Sequence, residues 1–284
     1  MSTPPADRRR WPATDRVAHV SLQAQVAGLT LVPGDWMRVG VPLVDLCTAP
    51  DGPRTRQLLR GARFLVLEAR GAMVFGQCAH DRQVGWLPRA ALIADHAVTH
   101  RVCAPATHVY SRADLKSPED CELSLGVQLE LFGQQGDFHR IAQGGWVPVQ
   151  HMCPLCPPAR DPVAIAQALI GTPYLWGGNS RRGVDCSGLV QLACMACGID
   201  CPADSDQQAA ELGTRLPRDA RLRRGDLLFW PGHVAWVVAP DTQLHASAHH
   251  MAVVQEPLAR AQMRIAAQTG HELQCRRRLQ SAGT

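Results

Sequence analysis

The chain has 284 residues, 46% of them hydrophobic and 19% charged, which is ordinary for a globular protein with one large domain or two to three small ones. Part of the net charge of +4 lies in two short runs, Arg8 to Arg10 and Arg276 to Arg278, and the sequence has no spread of basic residues with interleaved aromatics. We therefore interpret both runs as solvated tails and predict no nucleic-acid partner. The absence of any run of about 18 apolar residues excludes a membrane-spanning helix.

Cysteine usage and the first residues bear on the compartment in which the protein works. The chain contains 11 cysteines, an odd number, and a chain of this size does not need a disulfide scaffold. Residues 1–10 are polar and charged, without the apolar segment of a secretory signal. We therefore expect reduced thiols and a cytoplasmic location.

An internal repeat organises the first half of the chain. Gly85-Trp86-Leu87-Pro88 recurs as Gly145-Trp146-Val147-Pro148, 60 residues later (145 − 85 = 60), and each copy follows a glycine-containing turn and a strand-like apolar run. Short strands, glycine-rich turns and a repeat of this length predict two small β-barrels, over residues 17–95 and 96–152, after a flexible tail at residues 1–16. A chance match of four residues is the alternative.

A proline-rich linker over residues 153–160 separates the repeat from residues 161–284. Cys153 and Cys156 have the spacing of metal ligands, but no second Cys or His pair follows at a suitable distance, so we interpret both as structural. The following segment is helical: Asp161 can cap a helix and Pro162 fits its first position. Gly171 can end that helix.

A second helix is predicted from Cys186 to Cys197, where apolar residues recur at three- and four-residue spacing before Gly198. Strand-like runs follow, from Asp226 to Trp230, from His233 to Val238 and from Gln243 to Ala246. Helices followed by an antiparallel sheet predict an α+β domain.

Cys186 stands where the second helix begins, within Asp185-Cys186-Ser187-Gly188. A thiol at a helix N-terminus meets the positive end of the helix dipole and unpaired backbone N–H groups, which favour the thiolate and could bind an oxyanion. We therefore predict that Cys186 is a nucleophile with a lowered pKa. The alternative is a small core cysteine, which is how we interpret Cys194 and Cys197.

Two histidines on successive strands complete a candidate catalytic group. If the loop between the strands has an odd number of residues, such as Ala239-Pro240-Asp241, His245 pairs opposite Ala235 and lies diagonal to His233 on one face. The result is a nucleophile, a base and a third group that orients the base. The alternative is that either histidine is an ordinary surface group.

Four motifs in order carry a family resemblance: Gly171-Thr172-Pro173-Tyr174-Leu175-Trp176-Gly177-Gly178, Asp185-Cys186-Ser187-Gly188-Leu189-Val190, Arg224-Gly225-Asp226-Leu227 with His233-Val234, and His245-Ala246. Over residues 160–260 the chain resembles the NlpC-type papain-like cysteine peptidases of bacterial cell-wall metabolism. The preceding repeat resembles the tandem bacterial SH3-like domains of the γ-D-glutamyl-L-diamino-acid endopeptidase branch.

The resemblance implies a fold and a site. The fold is α+β, with a papain-like catalytic domain after two small SH3-like β-barrels. Cys186 matches the nucleophile, His233 the general base and His245 the third catalytic group. Positions that line the substrate pocket match at Tyr174, Trp176, Asp185, Ser187, Asp204 and Ser205. Among these, Asp204 and Ser205 match a loop that reads the N-terminal part of the peptide, where a carboxylate suits a free amine.

The resemblance also implies a reaction, hydrolysis of the γ-D-glutamyl bond to meso-diaminopimelate or L-Lys in murein peptides during cell-wall recycling, without a metal or an organic cofactor. In that branch an acidic residue and a tyrosine of the first barrel help hold the free amine; they fall near Ala62 and Gln83 here, which carry neither a charge nor a phenol. Two alternatives are a murein-fragment amidase or acyltransferase with the same triad, and a catalytically silent peptidoglycan-fragment binding module. The oligomeric state is left open.

Overall fold

Short strands joined by turns build the first of two units of the chain, which ends at Pro154, while the second begins at Leu155. The computed structural model describes residues 7–279. In the first unit, 3-10 helices form at Arg8–Arg10, Val20–Leu22, Arg89–Ala91 and Val149–His151. Its strands are β1 (Val17–His19), β2 (Thr30–Val32), β3 (Asp35–Val39), β4 (Leu43–Cys47), β5 (Arg54–Leu59), β6 (Arg63–Arg70), β7 (Met73–Cys78), β8 (Val84–Pro88), β9 (Leu92–Ala94), β10 (His100–Val102), β11 (Ala106–Tyr110), β12 (Glu119–Ser124), β13 (Gln128–Leu129), β14 (Leu131–Gln135), β15 (Phe138–Ile141), β16 (Trp146–Pro148) and β17 (Met152–Pro154).

The two halves of this unit share one strand order. In the first half, neighbouring strands follow the order β5-β4-β8-β7-β6-β3-β9 in one sheet. In the second half, β12-β11-β16-β15-β14 form one sheet and β13-β10-β17 form another. Each strand of the second half therefore has the same neighbours as the equivalent strand of the first half. The long strand β6 corresponds to β13 and β14 together, and the break between those two strands divides the second sheet.

The two Gly-Trp-x-Pro motifs have the same local structure. Each ends a strand at a proline, and the two prolines have nearly the same backbone angles, φ −61° and ψ 129° at Pro88 and φ −58° and ψ 133° at Pro148. A 3-10 helix and a further strand follow each proline. Trp86 and Trp146 each pair with the last residue of the adjacent strand, β4 and β11 respectively. Because proline has no N–H for the ladder, both strands end at the same point. The repeat is therefore structural and not a chance match.

Alternating apolar residues of the strands form the core of each half. In β4, for example, Val44 and Leu46 are buried while the residues beside them are partly exposed. The core of the first half consists of Val39, Val44, Leu46, Leu58, Phe64, Val74, Cys78, Leu87, Ala91 and Leu92.

Residues 7–16 do not form the flexible tail that we predicted. Arg8–Arg10 is a 3-10 helix whose N-terminus is capped by Asp7, because the Asp7 carboxylate accepts a hydrogen bond from the Arg9 N–H at 3.0 Å. Gln77 Nε2 on β7 donates to the Arg10 carbonyl oxygen at 3.1 Å. The hydrogen bond from Gln77 ties the basic run to β7. Residues 1–6 of the predicted tail lie outside the described residues.

In the second unit the helices are α1 (Pro162–Gln167), α2 (Cys186–Ala196), α3 (Ser205–Glu211) and α4 (Leu258–Thr269). The strands are β18 (Asn179–Ser180), β19 (Gly183–Val184), β20 (Thr214–Arg215), β21 (Asp226–Trp230), β22 (His233–Ala239), β23 (Thr242–Ser247), β24 (Ala252–Pro257) and β25 (Cys275–Arg278). Six of these strands form an antiparallel sheet in the order β20-β25-β21-β22-β23-β24. Within residues 7–279, no helix is long and apolar enough to span a bilayer.

Helices cover both faces of this sheet. Every residue of β21 is buried. Leu228 and Trp230 share a core cluster with Leu258 of α4, against which Ile265 of the same helix also packs. On the sheet, α2 contacts β22 and β23, and it also contacts α1. The arrangement is α+β, as predicted, and it places the start of α2 close to the start of β22.

The helix starts follow the sequence signals more closely than the helix ends. At α1 the Asp161 carboxylate accepts hydrogen bonds from Val163 N–H at 2.9 Å and Ala164 N–H at 3.2 Å, which confirms the predicted cap. That helix ends at Gln167, earlier than the predicted end at Gly171. The residues between them form turns, in which the N–H groups of Leu169 and Ile170 bond to carbonyl oxygens three residues back instead of four.

The second basic run is not a solvated tail. Arg276–Arg278 lies in β25, which is inserted between β20 and β21. Arg278 Nε donates to Oδ1 of Asp226 at 2.7 Å, and the side chain of Asp226 is only 1% exposed. The prediction was wrong because the run supplies both a strand to the sheet and the counter-charge for a buried carboxylate.

Candidate active site

Asp185 fixes the first turn of α2, which begins at Cys186. One oxygen of its carboxylate accepts hydrogen bonds from the Gly188 N–H at 2.7 Å and from the Ser187 hydroxyl at 3.1 Å. The other oxygen accepts from the Gly177 N–H at 2.9 Å. The carboxylate therefore caps the helix and also holds the preceding loop against it. Both Asp185 and Ser187 were predicted as pocket residues, and they lie on either side of Cys186 in the chain.

Glycines allow this loop to approach the helix closely. A Cβ atom added at Gly188 would lie 2.6 Å from the carbonyl oxygen of Gly178. One added at Gly178 would lie 2.6 Å from the carbonyl oxygen of Gly183. No side chain fits at either position without moving backbone, so backbone packs directly on backbone beneath Cys186.

The sulfur of Cys186 lies against the backbone on both sides of His233. Cys186 Sγ is 3.9 Å from the carbonyl oxygen of Gly232, and the N–H groups of Val234 and of the first turn of α2 favour the thiolate. Burial nevertheless raises the pKa of the Cys186 thiol to about 12, with a further contribution from the Asp185 carboxylate. The predicted lowering of this pKa is therefore wrong, because desolvation outweighs the helix terminus.

The two histidines stand on neighbouring strands of one hairpin. His233 begins β22, and the pairing of β22 with β23 places His245 opposite Ala235, as predicted. The predicted three-residue loop is wrong, since two residues connect the strands. A bulge between Val237 and Ala239 supplies the additional residue, and so the predicted pairing is kept by a different route.

A line of close polar contacts runs from His233 into the protein. His233 Nε2 is 2.7 Å from His245 Nδ1, and the two rings meet edge to face at 68°. On the far side of the buried His245, Nε2 is 2.7 Å from Oε1 of Glu256. The guanidinium of Arg264 then grips both oxygens of Glu256, at 2.7 and 2.6 Å. Four side chains from β22, β23, β24 and α4 thus form one continuous chain.

The titratable side chains of this line differ in their charge near neutral pH. Burial lowers the pKa of His233 to about 3, and the His245 ring and the Arg264 guanidinium act in the same direction. Burial also lowers the pKa of His245, against the opposing effect of Glu256. Although burial acts the other way, hydrogen bonds from Arg264 and His245 hold the pKa of Glu256 well below its usual range. Near neutral pH the pair of imidazoles is neutral and the carboxylate behind it is ionised.

Tyr174 and Trp176, two of the predicted pocket residues, lie on the loop that leads into β18. Tyr174 is half-buried, and its pKa is raised by burial and then by the neighbouring Cys186 and Asp185. Trp176 is 70% exposed. A large aromatic surface is thus open to solvent two residues from the half-buried Tyr174.

The remaining predicted pocket residues, Asp204 and Ser205, lie at the start of α3. Asp204 is the N-cap residue of that helix, but its side chain makes no capping hydrogen bond. Gln208, also on α3, donates from Nε2 to the carbonyl oxygens of Ser187 at 3.0 Å and Pro202 at 2.9 Å. The loop that carries Asp204 is therefore tied to the first turn of α2.

Sequence reasoning missed Glu256 and Arg264. The predicted elements stopped at the strand that contains His245, and β24 and α4 were not recognised. Had β24 been predicted, its pairing would have revealed the carboxylate: Gln243 pairs with Glu256, so Glu256 lies diagonal to His245 on one face. Among the described residues, no group of three or more His, Cys, Asp or Glu side chains is arranged to hold a metal ion.

Known proteins match both units. Residues 171–272 match the NlpC/P60 family, and residues 46–92 match the bacterial dipeptidyl-peptidase SH3 domain. Over 231 residues the chain is 30% identical to gamma-D-glutamyl-L-lysine dipeptidyl-peptidase of Bacillus subtilis, which covers 72% of this chain and 75% of that protein. Over 85 residues it is 40% identical to dipeptidyl-peptidase 6 of Lysinibacillus sphaericus, and this match spans 30% of the chain but only 31% of the relative.

A solved structure shares the fold. The crystal structure of an NlpC/P60 family protein from Bacillus cereus aligns with a TM-score of 0.72 at 21% identity, over 86% of this chain and 99% of that one. The predicted family is confirmed by these matches, and the predicted SH3-type domain is confirmed for the first half of the repeat. The chain belongs to the NlpC/P60 family of cysteine peptidases.

Proposed function

We propose that this protein hydrolyses the bond between γ-D-glutamate and meso-diaminopimelate or L-lysine in murein peptides. Cys186 is the nucleophile, His233 the general base and His245 the group that orients the base. The observation that carries the proposal is the 2.7 Å contact of His233 Nε2 with His245 Nδ1, beside a cysteine that begins a helix. The name of the Bacillus subtilis relative, a gamma-D-glutamyl-L-lysine dipeptidyl-peptidase, supports the choice of bond.

The reaction begins from a neutral thiol and a neutral imidazole. His233 takes the proton of Cys186 while the sulfur attacks the carbonyl carbon of γ-D-glutamate. Backbone N–H groups at the start of α2 are suited to stabilise the oxyanion of the tetrahedral intermediate. His233 then gives its proton to the departing amine of the diamino acid. A water molecule, deprotonated by His233, attacks the thioester and releases the γ-carboxylate and the thiol.

The proposed substrate contacts lie on the two loops that flank the start of α2. Tyr174 and Trp176 on one loop offer aromatic surface to the peptide. Asp204 and Ser205 at the start of α3 are the proposed partners of the free amine of an N-terminal L-alanine, because a carboxylate suits a cationic amine. Short released peptides, such as those of cell-wall recycling, are the proposed substrates, because a dipeptidyl-peptidase removes two residues from a free N-terminus.

The proposal extends to the first unit, in which we assign two SH3-like β-barrels to residues 17–95 and 96–154. The predicted limit at residue 152 and the predicted linker from residue 153 are wrong by two residues, because β17 (Met152–Pro154) pairs with β10. The common strand order and the common Gly-Trp-x-Pro geometry support this assignment for the second half as well as the first.

Product analysis tests the activity. We expect the wild-type protein to convert L-Ala-γ-D-Glu-L-Lys, or its meso-diaminopimelate counterpart, into L-Ala-D-Glu and the free diamino acid, as read by mass spectrometry. The Cys186→Ala variant should form neither product. Transfer of the acyl group to an added amine in preference to water would indicate an acyltransferase. Absence of turnover together with unlabelled Cys186 after treatment with a thiol-reactive peptide would indicate a binding module.

A further inference from the structure

A pair of hydrogen-bonded histidines does not by itself decide which nitrogen carries the proton. A neutral imidazole has one N–H and one bare nitrogen. The 2.7 Å contact between His233 Nε2 and His245 Nδ1 is satisfied if either ring donates. Only one arrangement leaves His233 with a bare Nδ1 that can accept the proton of Cys186. Some further group must select it.

Glu256 is that group. Its ionised carboxylate accepts hydrogen bonds and donates none. The contact of 2.7 Å with His245 Nε2 therefore requires the proton of His245 to be on Nε2. His245 Nδ1 is then bare and accepts from His233 Nε2–H. The proton of His233 is thus on Nε2, and its Nδ1 is bare.

Arg264 keeps the carboxylate in place. Its two terminal nitrogens donate to the two oxygens of Glu256, the bidentate geometry that a planar guanidinium favours. Both side chains are largely buried, with 18% and 12% of their surface exposed, so solvent weakens the pair little. Among the described residues, the titratable side chain of His250 also faces the carboxylate: its Nε2 is 3.6 Å from Oε2, and it lies on the exposed connection between β23 and β24.

We propose that Glu256, clamped by Arg264, is a positioning residue that sets the tautomers of His245 and His233 and so keeps His233 Nδ1 free to act as the base. This inference rests on the proposed function, because it assumes that His233 deprotonates Cys186. Without the carboxylate, a His245 tautomer with the proton on Nδ1 is equally well hydrogen-bonded to His233 Nε2. That arrangement puts the His233 proton on Nδ1 and removes the base.

The test reads the tautomers directly, by ¹⁵N NMR of the full chain labelled at histidine nitrogen. In the wild type we expect His245 and His233 each to show a protonated Nε2 and a bare Nδ1. In Glu256→Gln the amide nitrogen can donate to His245 Nε2, so the opposite tautomer should become populated. We expect kcat on the tripeptide to fall on the order of 10²-fold, with KM changed by less than about twofold, as for a group that acts only through the base.

Two further variants separate positioning from structure. Glu256→Asp keeps a carboxylate and should therefore retain the wild-type tautomers. Its kcat should lie between that of Glu256→Gln and that of the wild type. Glu272→Gln makes the same chemical change on an exposed loop of the same unit and should alter neither the tautomers nor kcat. A wild-type tautomer pattern and wild-type kcat in Glu256→Gln would overturn the proposal.

The NMR readout does not depend on the substrate. If Glu256→Gln fails to fold, as judged by circular dichroism, the wild-type spectrum still decides, because a protonated Nδ1 on His245 contradicts the proposal. If Cys186→Ala retains activity while the tautomers are as expected, the proposed function fails and the role of Glu256 in setting them stands.

Discussion

Gln208 on α3 and Ser187 on α2 are joined by a hydrogen bond of 3.0 Å from the Gln208 Nε2 to the Ser187 carbonyl oxygen. The side chain of Gln208 is fully buried, and the same nitrogen donates to the Pro202 carbonyl oxygen. A carbonyl in the first turn of a helix normally bonds further along that helix, so an additional donor here joins a second element to the turn of the nucleophile. This amide therefore joins the loop that carries Asp204 to the first turn of α2, in addition to the cap that Asp185 supplies to that turn.

Replacing Gln208 with Leu should lower the free energy of unfolding by about 1–3 kcal/mol, because two buried carbonyl oxygens lose a donor. Chemical denaturation measures this change. Gln268→Leu, at an exposed position on α4, is the matched control and should remain within about 0.5 kcal/mol of the wild type. Equal stability of the two variants would show that Gln208 does not hold the turn.

Removal of the proposed nucleophile should abolish turnover while leaving the fold intact. We expect Cys186→Ala to lower kcat by at least about 10⁴-fold, because the covalent route disappears. His233→Ala should be nearly as severe, whereas His245→Ala should cost about 10²–10⁴-fold, since it orients the base and does not itself react. Steady-state kinetics on the tripeptide checks this ranking of the three variants by their loss of kcat. Cys194→Ala, on the same helix, is the control. An unaffected His245→Ala variant would mean that the third residue has been assigned wrongly.

Alkylation of Cys186 should become faster as the pH rises. With a pKa of about 12 in the free protein, the thiol is protonated at neutral pH, and the thiolate fraction grows about tenfold per pH unit. Iodoacetamide labelling between about pH 6 and pH 9, followed by peptide mapping, measures this rate with the exposed Cys156 as internal reference. A rate that is constant across this range would indicate a stable thiolate and contradict the buried, neutral thiol.

Acid should destabilise the protein through His233. The pKa of this residue is about 3 in the folded protein and 6.5 in the unfolded reference, so between these values only the unfolded chain binds the proton. The free energy of unfolding should therefore fall as the pH falls from 6.5 towards 3, by at most about 1.4 kcal/mol per pH unit from this group.

The comparison that checks this is the pH dependence of stability in His233→Gln, which does not titrate. Its slope between pH 6.5 and about pH 4 should be shallower than that of the wild type, with the remainder coming from other groups such as His245. His271→Gln, at an exposed position, should keep the wild-type slope. Identical slopes in all three proteins would show that His233 is not held neutral.

The sequence predicted correctly those features of the fold that are set by residues close together in the chain. The cap at Asp161, the start of α2 at Cys186 and the limits of β21 all depend on residues close together in the chain, and each was predicted. The repeat was likewise visible, because the Gly-Trp-x-Pro turn imposes the same proline geometry twice.

Features set by tertiary contact were not predicted. All four positions of β25 are only partly buried, so the strand has no apolar alternation, and Arg278 belongs there because Asp226 is buried opposite. The role of Glu256 depends on its contacts with His245, its diagonal neighbour, and with Arg264 on α4. The pKa of Cys186 was misjudged for the same reason, since the helix terminus is a local property whereas desolvation depends on how the whole domain packs around the sulfur.

The position of β25 has a consequence for synthesis on the ribosome. This strand lies inside the sheet, between β20 and β21, yet it is translated after every other strand and helix that the structure describes up to residue 279. Until residues 275–278 have emerged, β21 has an open edge and Asp226 has no arginine opposite it. A nascent chain that already carries Cys186, His233 and His245 therefore cannot complete its sheet. Such an order of assembly would delay the appearance of a working peptidase until residues 275–278 have been made.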